Sequence, residues 1–547
     1  MTILPAPDPG LRACIVVPAR DEEELIGACV RALAAQEGVA GEAYELLLVL
    51  DRCTDATEAR ARAAAGSLVF HVLRTEQPGV GAARRVGMDL ACERLHSVGR
   101  PDGLIACTDA DSEAAPDWLA TQLAAVAGGA RAIGGRAAMS EAEQAALDPA
   151  IRASRERDAA ARLELARSQA MDGARTEHHQ FSGASMALTA ATYRLAGPLE
   201  RRTGLEDEAL ERLLRRHRVP VDRLLAVRVT TSGRSRGRAP RGLALDLRRA
   251  RWLAARRYDG AGYDAAALAE RKTATVSVVL PTREAAGTVG DVLDALAPLK
   301  RARLLDEILV VRGGSRDGTA GVARRRGAWV ADESELLREY GPALGTGDAL
   351  WRGLAATSGD LVVFVRAHAG FRADLVTGLL GPLLRDPAVE LVKGAYEPAG
   401  RDGLGELVAR PLLNLHLPDL AGFVDPLGFE LAARRTMLER LPFPVGDGVE
   451  IALLIDAYRT AGLDGLAQAD LGERPPAVRH DAAKALAVIA AVERRIHGAA
   501  RSEADAPGPL LLPFADGFEP RSVALDERPP LLELLPAAVG AQSLRPV

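Results

Sequence analysis

The sequence has few cysteines and no long apolar segment. Five cysteines occur among 547 residues, the last at Cys107, and neither their odd number nor their spacing fits a zinc site. We therefore predict a reducing, cytoplasmic setting without disulfides. No run approaches the roughly 20 apolar residues that span a bilayer, and the first residues, which include Asp8, lack the apolar core of a secretory signal. The sequence predicts no integral membrane segment.

An excess of charge of one sign is also missing. The formal net charge is −5, with 69 Lys and Arg against 74 Asp and Glu. There is thus no global electrostatic case for a nucleic-acid partner, and we predict none. Hydrophobic residues make up 48% and charged residues 26%, which is typical of a soluble globular protein.

The chain repeats itself. At 547 residues it exceeds what one hydrophobic core usually supports. The segment ACIVVPARDEEELIGACVRALAA near the start is echoed by VSVVLPTREAAGTVGDVLDALAP, and five further pairs follow in the same order. The offset drifts from roughly 260 to roughly 245 residues, as loops of different length would produce. Two tandem copies of one fold are indicated.

Each copy alternates short β-branched apolar runs with helical patterns. Residues 14–17 and 46–50 are predicted buried parallel strands, and residues 22–35 the helix that crosses between them. This βαβ repetition predicts two α/β domains, each a doubly wound, mostly parallel sheet with helices on both faces. We assign residues 1–245 to the first domain, 246–272 to a helical linker, 273–500 to the second domain and 501–547 to a Pro-rich tail that is extended or mobile.

Polar residues follow the predicted strands of the first copy, where such sheets bind ligands. Pro18 ends the first strand, and the carboxylates after it favour the start of a helix, a pattern that is also typical of plain helix capping. Asp51 ends the second strand, where a carboxylate can accept a nucleotide base N–H. Asp55 fits a turn or cap.

A glycine-rich turn leads into a helix that begins with paired arginines. It comprises residues 79–85, and glycine there permits close approach of the backbone to a ligand. Arg84 is a candidate contact for a base or phosphate. A simple turn explains the glycines equally well.

Two carboxylates end the next strand. Asp109 and Asp111 flank Ala110 after an apolar run, and paired carboxylates suit a hard divalent cation such as Mg²⁺ or Mn²⁺. Such an ion would bridge diphosphate oxygens and neutralise the charge of a nucleotide leaving group. The alternative is a solvated acidic turn.

Further along, acidic residues open a helix and a basic loop follows. Asp207, with Glu206 beside it, is a candidate general base for an acceptor hydroxyl, although acids at a helix start are commonplace caps. The loop beyond carries arginines in a glycine-rich frame and is either a phosphate clamp or an ordinary basic linker. Its arginines are Arg234, Arg236, Arg238 and Arg241.

In this order, the motifs of residues 12–240 resemble those of the family 2 glycosyltransferases. The resemblance implies the GT-A fold, a nucleotide-sugar donor and a divalent metal. It implies that Asp207, with Glu206, serves as catalytic base of an inverting reaction, that Asp111 and Asp109 meet the metal, and that other residues contact the substrates. The residues assigned to the nucleotide sugar are Pro18, Ala19, Arg20, Glu22, Asp51, Arg84, Asp109 and Ala110; those on the acceptor side are Gly183, Ala184, Ser185, Arg234 and Arg238.

The second copy resembles the glucosyl-3-phosphoglycerate synthases over residues 274–475, with departures where the chemistry should be. The segment 366–368, Arg-Ala-His, replaces the metal-binding Asp-x-Asp and cannot hold Mg²⁺ as carboxylates would. Arg312 replaces the acidic nucleotide contact, Thr346 replaces a lysine, and Glu450 is retained. We predict a catalytically silent second copy; the alternative is a metal-independent activity in which Arg366 takes the place of the cation.

The predicted function is transfer of a sugar from a nucleoside-diphosphate sugar, with UDP favoured, to an unidentified hydroxyl acceptor. Related synthases are often dimers, so a homodimer is possible. One alternative is transfer to a small phosphorylated acid such as 3-phosphoglycerate, and another is a non-catalytic scaffold that binds sugar nucleotides. A nucleotidyltransferase is disfavoured because Arg20, Asp21 and Glu22 stand where its glycine-rich signature would.

Overall fold

The computed structural model describes residues 4–199, 206–234, 242–314, 316–397, 403–473, 482–498, 509–514 and 517–534. Arg238, assigned above to the acceptor side, lies outside these residues. The chain divides into two compact units, residues 1–254 (unit 1) and 255–547 (unit 2). The division falls within the segment 246–272 that the sequence assigns to the linker.

Unit 1 contains a single eight-stranded sheet and the helices around it. Its strands are β1 (Ala13–Ala19), β2 (Tyr44–Asp51), β3 (Phe70–Thr75), β4 (Leu104–Cys107), β5 (Ser112–Ala114), β6 (Ala132–Ala138), β7 (Met186–Thr189) and β8 (Val221–Thr231). Its helices are α1 (Ile26–Ala34), α2 (Thr57–Ala64), α3 (Val80–Ser97), α4 (Trp118–Ala127), α5 (Glu141–Ala145), α6 (Pro149–Ser168), α7 (Ala190–Ala196), α8 (Glu206–Arg216) and α9 (Leu243–Arg256), the last of which extends just past the division.

The sheet of unit 1 is doubly wound. Its strand order is β3-β2-β1-β4-β7-β6-β8-β5. The first four strands are mutually parallel, and β7 runs antiparallel to both β4 and β6. Strand order reverses between β1 and β4, which is where α/β sheets of this kind bind ligands beyond the strand ends.

The buried strands explain the apolar runs of the sequence. In β1, Ile15 and Val17 pack into the layer that contains α1, whereas Cys14 and Val16 pack into the opposite layer beside α3. Successive side chains of a strand point to opposite faces. A strand covered by helices on both faces therefore contains apolar residues at every position rather than at alternate ones.

Strand β1 continues one residue beyond Pro18, although the sequence predicts that the strand ends at Pro18. Pro18 is paired with Val49 of β2, whereas the pairing with β4 ends at Val16 and Cys107. Beyond Val16 the strand therefore has no β4 partner, so the N–H that proline lacks is not needed there.

Unit 2 is built in the same way. Its strands are β9 (Arg257–Asp259), β10 (Val276–Thr282), β11 (Glu307–Arg312), β12 (Trp329–Asp332), β13 (Leu361–Phe364), β14 (Leu391–Glu397), β15 (Leu431–Arg434), β16 (Phe443–Pro444), β17 (Leu466–Glu473), β18 (Leu510–Phe514), β19 (Gly517–Arg521) and β20 (Glu527–Arg528). Its helices are α10 (Ala265–Arg271), α11 (Val289–Arg301), α12 (Thr319–Arg325), α13 (Thr346–Ala356), α14 (Asp374–Arg385), α15 (Arg410–His416), α16 (Arg435–Leu438), α17 (Val449–Ala461), α18 (Ala482–His497) and α19 (Leu531–Leu534).

The main sheets of the two units correspond in seven of their eight strands. The order in unit 2 is β12-β11-β10-β13-β15-β14-β17-β9. The prediction of two tandem, doubly wound, mostly parallel α/β units is confirmed. The edge strand differs, because β5 comes from inside unit 1 whereas β9 comes from the predicted linker and pairs with β17. The linker is therefore not wholly helical, since β9 lies between α9 and α10.

The described part of the tail contains short extended segments. Strands β18 and β19 form a hairpin, and β20 pairs with β16. The indole N–H of Trp351 donates to the carbonyl of Pro529 at 2.9 Å. Among the described residues, none of the helices has the length and apolar character needed to cross a bilayer.

Candidate functional site

The candidate site of unit 1 lies at the carboxyl ends of three neighbouring strands. Strands β2, β1 and β4 are parallel and adjacent, so their ends meet at one edge of the sheet. Arg20 and Glu22 follow β1, Asp51 ends β2, and the segment 109–111 follows β4. The residues assigned to the nucleotide sugar from sequence are thus brought to a common edge.

Asp51 connects the tip of β2 to the glycine-rich turn. Its side chain is buried, and its Oδ2 accepts the N–H of Gly79 at 3.0 Å. The Nε–H of Arg52 donates to Oδ1, also at 3.0 Å. Gly79 has φ 107°, a left-handed conformation that favours glycine, and α3 begins at the next residue. Asp51 therefore fixes the turn that the sequence predicts to approach the ligand.

The turn after β1 is braced against the loop after β2. The carboxylate of Asp21 accepts the N–H of Thr54 at 2.7 Å, and that of Glu23 accepts the N–H of Ala56 at 3.0 Å. Asp55 accepts the N–H of Thr57 at 3.0 Å, as a cap residue would. Arg20 is exposed. Most acids of this motif thus serve local structure, and Glu22 is the exception.

Arg84 joins three parts of the site from the inside. Its guanidinium donates to Asp109 Oδ1 at 2.7 Å, to Glu206 Oε1 at 3.2 Å and to the carbonyl of Gly183 at 3.0 Å. The residue is only 1% exposed. Burial alone would lower the pKa of Arg84, but the charges of Asp109 and Glu206 outweigh it and raise that pKa. Arg84 is therefore a buried counter-charge rather than a group that faces an open cleft.

Gly183 must be small because Arg84 passes beside it. A Cβ at this position would lie 2.3 Å from Nη2 of Arg84. The next two residues turn into the core: the Thr108 hydroxyl donates to the Ala184 carbonyl at 2.8 Å, and the Trp118 indole donates to the Ser185 hydroxyl at 3.0 Å. Ser185 is fully buried, so the structure gives its side chain a packing role rather than contact with an acceptor.

Asp111 and Glu22 share one arginine. Arg234 donates to both oxygens of Glu22, at 2.8 and 2.6 Å, and its Nη2 lies 2.9 Å from Asp111 Oδ2. Burial, together with the charges of Asp109 and Glu22, raises the pKa of Asp111 to about 6 against the opposing effect of Arg234. Arg234, assigned from sequence to the acceptor side, thus lies beside Glu22 and Asp111.

Asp207 and Glu206 have different surroundings although they are neighbours. Asp207 is half-buried, and its Oδ2 accepts the N–H of Gly183 at 3.2 Å. Glu206 is buried against Arg84, and burial raises its pKa while Arg84 acts to lower it. Asp207 is therefore the carboxylate of this pair that a hydroxyl from solvent can reach.

Unit 2 has cations at the corresponding edge. Arg366, which follows β13, lies 3.5 Å from Glu450 Oε1, and its guanidinium carbon is 4.3 Å from the ring centroid of Phe429. Lys484 lies 2.9 Å from the same oxygen, and Lys393 donates to the Glu450 carbonyl at 3.1 Å. Burial lowers the pKa of Lys393 to about 8. Two cationic groups thus contact the buried carboxylate of Glu450, and a third binds the backbone carbonyl of the same residue.

Sequence reasoning missed the partners of these charges. Lys393 and Lys484 did not stand out from the sequence, although a lysine in the apolar run ELVKGAY signals a buried charge that needs a partner. Nothing in the sequence connects Glu22 with Arg234, which are 212 residues apart. Both belong to recognisable motifs, but only the fold brings them together.

Comparison with known proteins gives matches in both units. The family model described as Glycosyl transferase family 2 matches residues 14–186 and 277–405. The glucosyl-3-phosphoglycerate synthase of Mycolicibacterium smegmatis is 40% identical over 305 residues, which cover 52% of this chain and 99% of that protein. The synthase of the same name from Mycolicibacterium paratuberculosis is 39% identical over 314 residues, which cover 52% of this chain and 92% of that protein.

Solved structures are also similar. That of mannosyl-3-phosphoglycerate synthase from Rubrobacter xylanophilus is 41% identical, with a TM-score of 0.49, and the match covers 52% of this chain and 100% of that one. That of glucosyl-3-phosphoglycerate synthase from Mycobacterium tuberculosis, in complex with Mn²⁺, UDP and glucosyl-3-phosphoglycerate, is 39% identical, with a TM-score of 0.46. This match covers 50% of this chain and 97% of that one.

Proposed function

This chain belongs to glycosyl transferase family 2 and is a nucleotide-sugar glycosyltransferase, and on that premise we propose that its reaction takes place at the strand tips of unit 1. The donor is a nucleoside-diphosphate sugar, with UDP favoured, and the acceptor presents a hydroxyl. One observation carries the proposal. Asp51 at the end of β2 and Asp109 and Asp111 after β4 lie at one edge of the sheet, on either side of β1, and Arg84 connects that edge to the start of α8, where Asp207 lies.

The carboxylate pair fits a divalent cation. Asp109 and Asp111 offer hard oxygen ligands, the kind that Mg²⁺ and Mn²⁺ prefer. Burial, with the charges of Asp109 and Glu22, raises the pKa of Asp111, and a bound cation would favour the charged carboxylate again. When bound, such an ion neutralises the charge of a departing diphosphate. We assign its binding to Asp111 and Asp109.

The side chains of unit 1 account for the remaining steps. Asp51 lies at the tip of β2, where a carboxylate can accept an N–H of the base. Asp207 takes the proton from the acceptor hydroxyl while the hydroxyl oxygen attacks the anomeric carbon of the donor sugar. The bond from that carbon to the diphosphate breaks in the same step. Arg84 holds Asp109, Glu206 and the Gly183 carbonyl at fixed distances, which positions the donor edge relative to the base. A single displacement of this kind inverts the anomeric configuration.

We propose that unit 2 does not catalyse this transfer. It keeps the sheet but has Arg366 and His368 where unit 1 has Asp109 and Asp111. Arg312, at the tip of β11, is paired with Asp332 instead of offering an acidic contact to a base. A silent unit that stabilises or regulates unit 1 fits these replacements.

The acceptor has a second candidate identity. The relatives that match at about 40% identity over nearly their whole length are named glucosyl-3-phosphoglycerate synthases. That name supports a small phosphorylated hydroxy acid as the acceptor. Release of UDP from UDP-glucose, measured with and without 3-phosphoglycerate, separates this acceptor from others.

The catalytic assignment is tested by substitution at the start of α8. We expect Asp207→Asn to lower kcat about a hundredfold to ten-thousandfold, since it removes the base but keeps the shape. Glu208→Gln is the matched control, because Glu208 is the next residue of α8, is exposed, and lies 3.9 Å from Arg212. The measurement is the release of nucleoside diphosphate from a panel of sugar nucleotides in the presence of Mn²⁺. Equal activity of both variants would refute the assignment.

Two further properties belong to the proposal. The five cysteine thiols are free, which supports a reducing cytoplasmic setting. A homodimer rests on the resemblance to the synthases. Light scattering on the purified chain measures its mass in solution and decides between monomer and dimer.

A further inference from the structure

Arg234 is held beside the carboxylate pair by its backbone as well as by its side chain. The N–H of Ser232 donates to the Asp111 carbonyl at 3.2 Å, which continues the pairing of β8 with β5. The N–H of Gly233 donates to Glu143 at 2.9 Å. The backbone is thus hydrogen-bonded at both residues that precede Arg234. The fold therefore places the guanidinium beside Asp111.

The contacts of Arg234 are those of a counter-cation. Its two terminal nitrogens bind the two oxygens of Glu22, and Nη2 also lies 2.9 Å from Asp111 Oδ2. Glu22 is buried, and Asp111 and Arg234 are largely so. Another arginine of the site, Arg84, is already paired with Asp109 and Glu206. Among the residues that the structure describes, no other side chain forms a salt bridge with Glu22 or Asp111, so loss of Arg234 would leave two desolvated carboxylates without a positive partner, which is strongly destabilising.

A divalent cation and this guanidinium compete for the Asp111 carboxylate. Ligation places Mg²⁺ roughly 2.0–2.1 Å from a carboxylate oxygen. Oδ2 of Asp111 is occupied by Arg234, and two cations on one carboxylate repel each other strongly where water is largely excluded. Glu22 offers Arg234 a second anchor that does not depend on Asp111.

We infer that Arg234 is an internal counter-cation of the metal site: it neutralises Asp111 when no ion is bound, and a divalent ion binds Asp111 only by displacing it. This inference rests on the proposed function, which assigns the ion to Asp111. Arg234 then remains bound to Glu22 at the edge of the site. It is a positioning residue that sets how tightly the ion binds, rather than a residue of the acceptor side.

Binding of Mn²⁺ to the full chain, without any nucleotide, tests the inference. Isothermal titration calorimetry, or the electron paramagnetic resonance signal of free Mn²⁺, gives the dissociation constant of Mn²⁺. We expect Arg234→Gln to bind Mn²⁺ about tenfold more tightly than the unaltered chain, because the competitor is removed. We also expect its melting temperature to be lower without metal and to recover when Mn²⁺ is added. A purely structural role would weaken Mn²⁺ binding instead.

Matched variants separate the possible failures. Arg228→Gln removes an exposed arginine of β8 that pairs with Asp117, and it should leave Mn²⁺ binding unchanged. If Asp111→Asn binds Mn²⁺ as well as the unaltered chain, the metal assignment itself fails. If Asp111→Asn abolishes binding but Arg234→Gln does not tighten it, only the present inference is overturned.

A second substitution covers the case in which Arg234→Gln does not fold. Arg234→Lys keeps one positive charge but loses the two-pronged contact with Glu22. Competition predicts that Mn²⁺ binds this variant at least about twofold more tightly than the unaltered chain, since a single ammonium hydrogen-bonds Glu22 and Asp111 less well than the guanidinium does. Equal or weaker binding overturns the inference.

Discussion

The two units have sheets of the same architecture, and they differ in the charged residues at the edge of the sheet. In unit 1 the strand tips carry carboxylates, and the arginines that neutralise them, Arg84 and Arg234, come from a helix and a loop. In unit 2 the cation is at the strand tip itself, as Arg366, and the carboxylate is Glu450 at the start of α17. The sign of the charge at the strand tip is thus exchanged between the units, whereas a buried acid at the start of the helix, Glu206 or Glu450, is kept in both.

This exchange shows which features the fold requires and which features metal chemistry requires. Both edges are largely desolvated, so each needs charges that cancel. The core can therefore be kept by either arrangement. Of the two described edges, the arrangement of unit 1 places two carboxylates, separated by one residue, at one strand end, which suits a hard cation.

The largest effect is expected from the residue that differs most between the units. Asp111→Asn should lower kcat with Mn²⁺ more than about a hundredfold, because it removes a charged ligand of the proposed leaving-group cation. The same substitution at the corresponding position of unit 2, His368→Asn, should leave kcat within about twofold, since under the proposal unit 2 contributes no catalytic group. Initial rates of nucleotide diphosphate release measure both. Loss of activity in His368→Asn alone would reverse the assignment of the units.

A smaller effect is expected from the arginines of the two ion pairs. Arg84→Met leaves Asp109 and Glu206 without their buried partner and should lower the free energy of unfolding by about 3–5 kcal/mol. Arg366→Met should cost about 1 kcal/mol or less, because Arg366 is partly exposed and Lys484 still neutralises Glu450. Urea denaturation of the full chain gives both values. Equal losses would mean that Arg366 is as essential to its edge as Arg84 is to its own.

The fold class, two units of the GT-A type, could be predicted because it rests on repeated local patterns. Apolar runs such as residues 14–17 mark strands buried on both faces, and six repeated segments in the same order fix the duplication. The strand tips were found by the same logic, since Asp51 and Asp109 directly follow such runs. Strand β9 was not predicted, because three residues of a linker become a strand only by pairing with β17.

The inner contacts of the site could not be predicted from sequence. Arg84 was expected to meet a base or phosphate, but α3 packs so closely on the sheet that this arginine points into the ion pairs. A Cβ on Gly87 of that helix would lie 2.4 Å from Val16. Ser185 carries no sequence signal of its burial, which depends on the position of Trp118. Such details follow from packing across elements, on which a pattern within one segment has no bearing.

The smallest expected effect is a pH dependence of stability that has the same direction in the two units but lies in a different pH range in each. Burial lowers the pKa of His178 in unit 1 to about 4, below the ordinary value of 6.5. The folded chain therefore binds fewer protons than the unfolded chain between these values, so stability should be complete above pH 6.5 and fall toward pH 4, by up to about 3 kcal/mol. In unit 2 burial lowers the pKa of Lys393 from 10.5 to about 8, so stability should rise from pH 8 to pH 10.5.

Paired variants isolate these two slopes from the titration of all other groups. His178→Gln should flatten the difference in unfolding free energy between pH 6.5 and pH 4.5, and Lys393→Met should flatten the rise between pH 8 and pH 10. Each variant should leave the other slope unchanged, because its residue lies in the other unit. Urea unfolding at these pH values, with the variant subtracted from the unaltered chain, is the measurement. If the unfolding free energy of Lys393→Met still rises between pH 8 and pH 10 as it does in the unaltered chain, the rise does not come from the buried ammonium of Lys393.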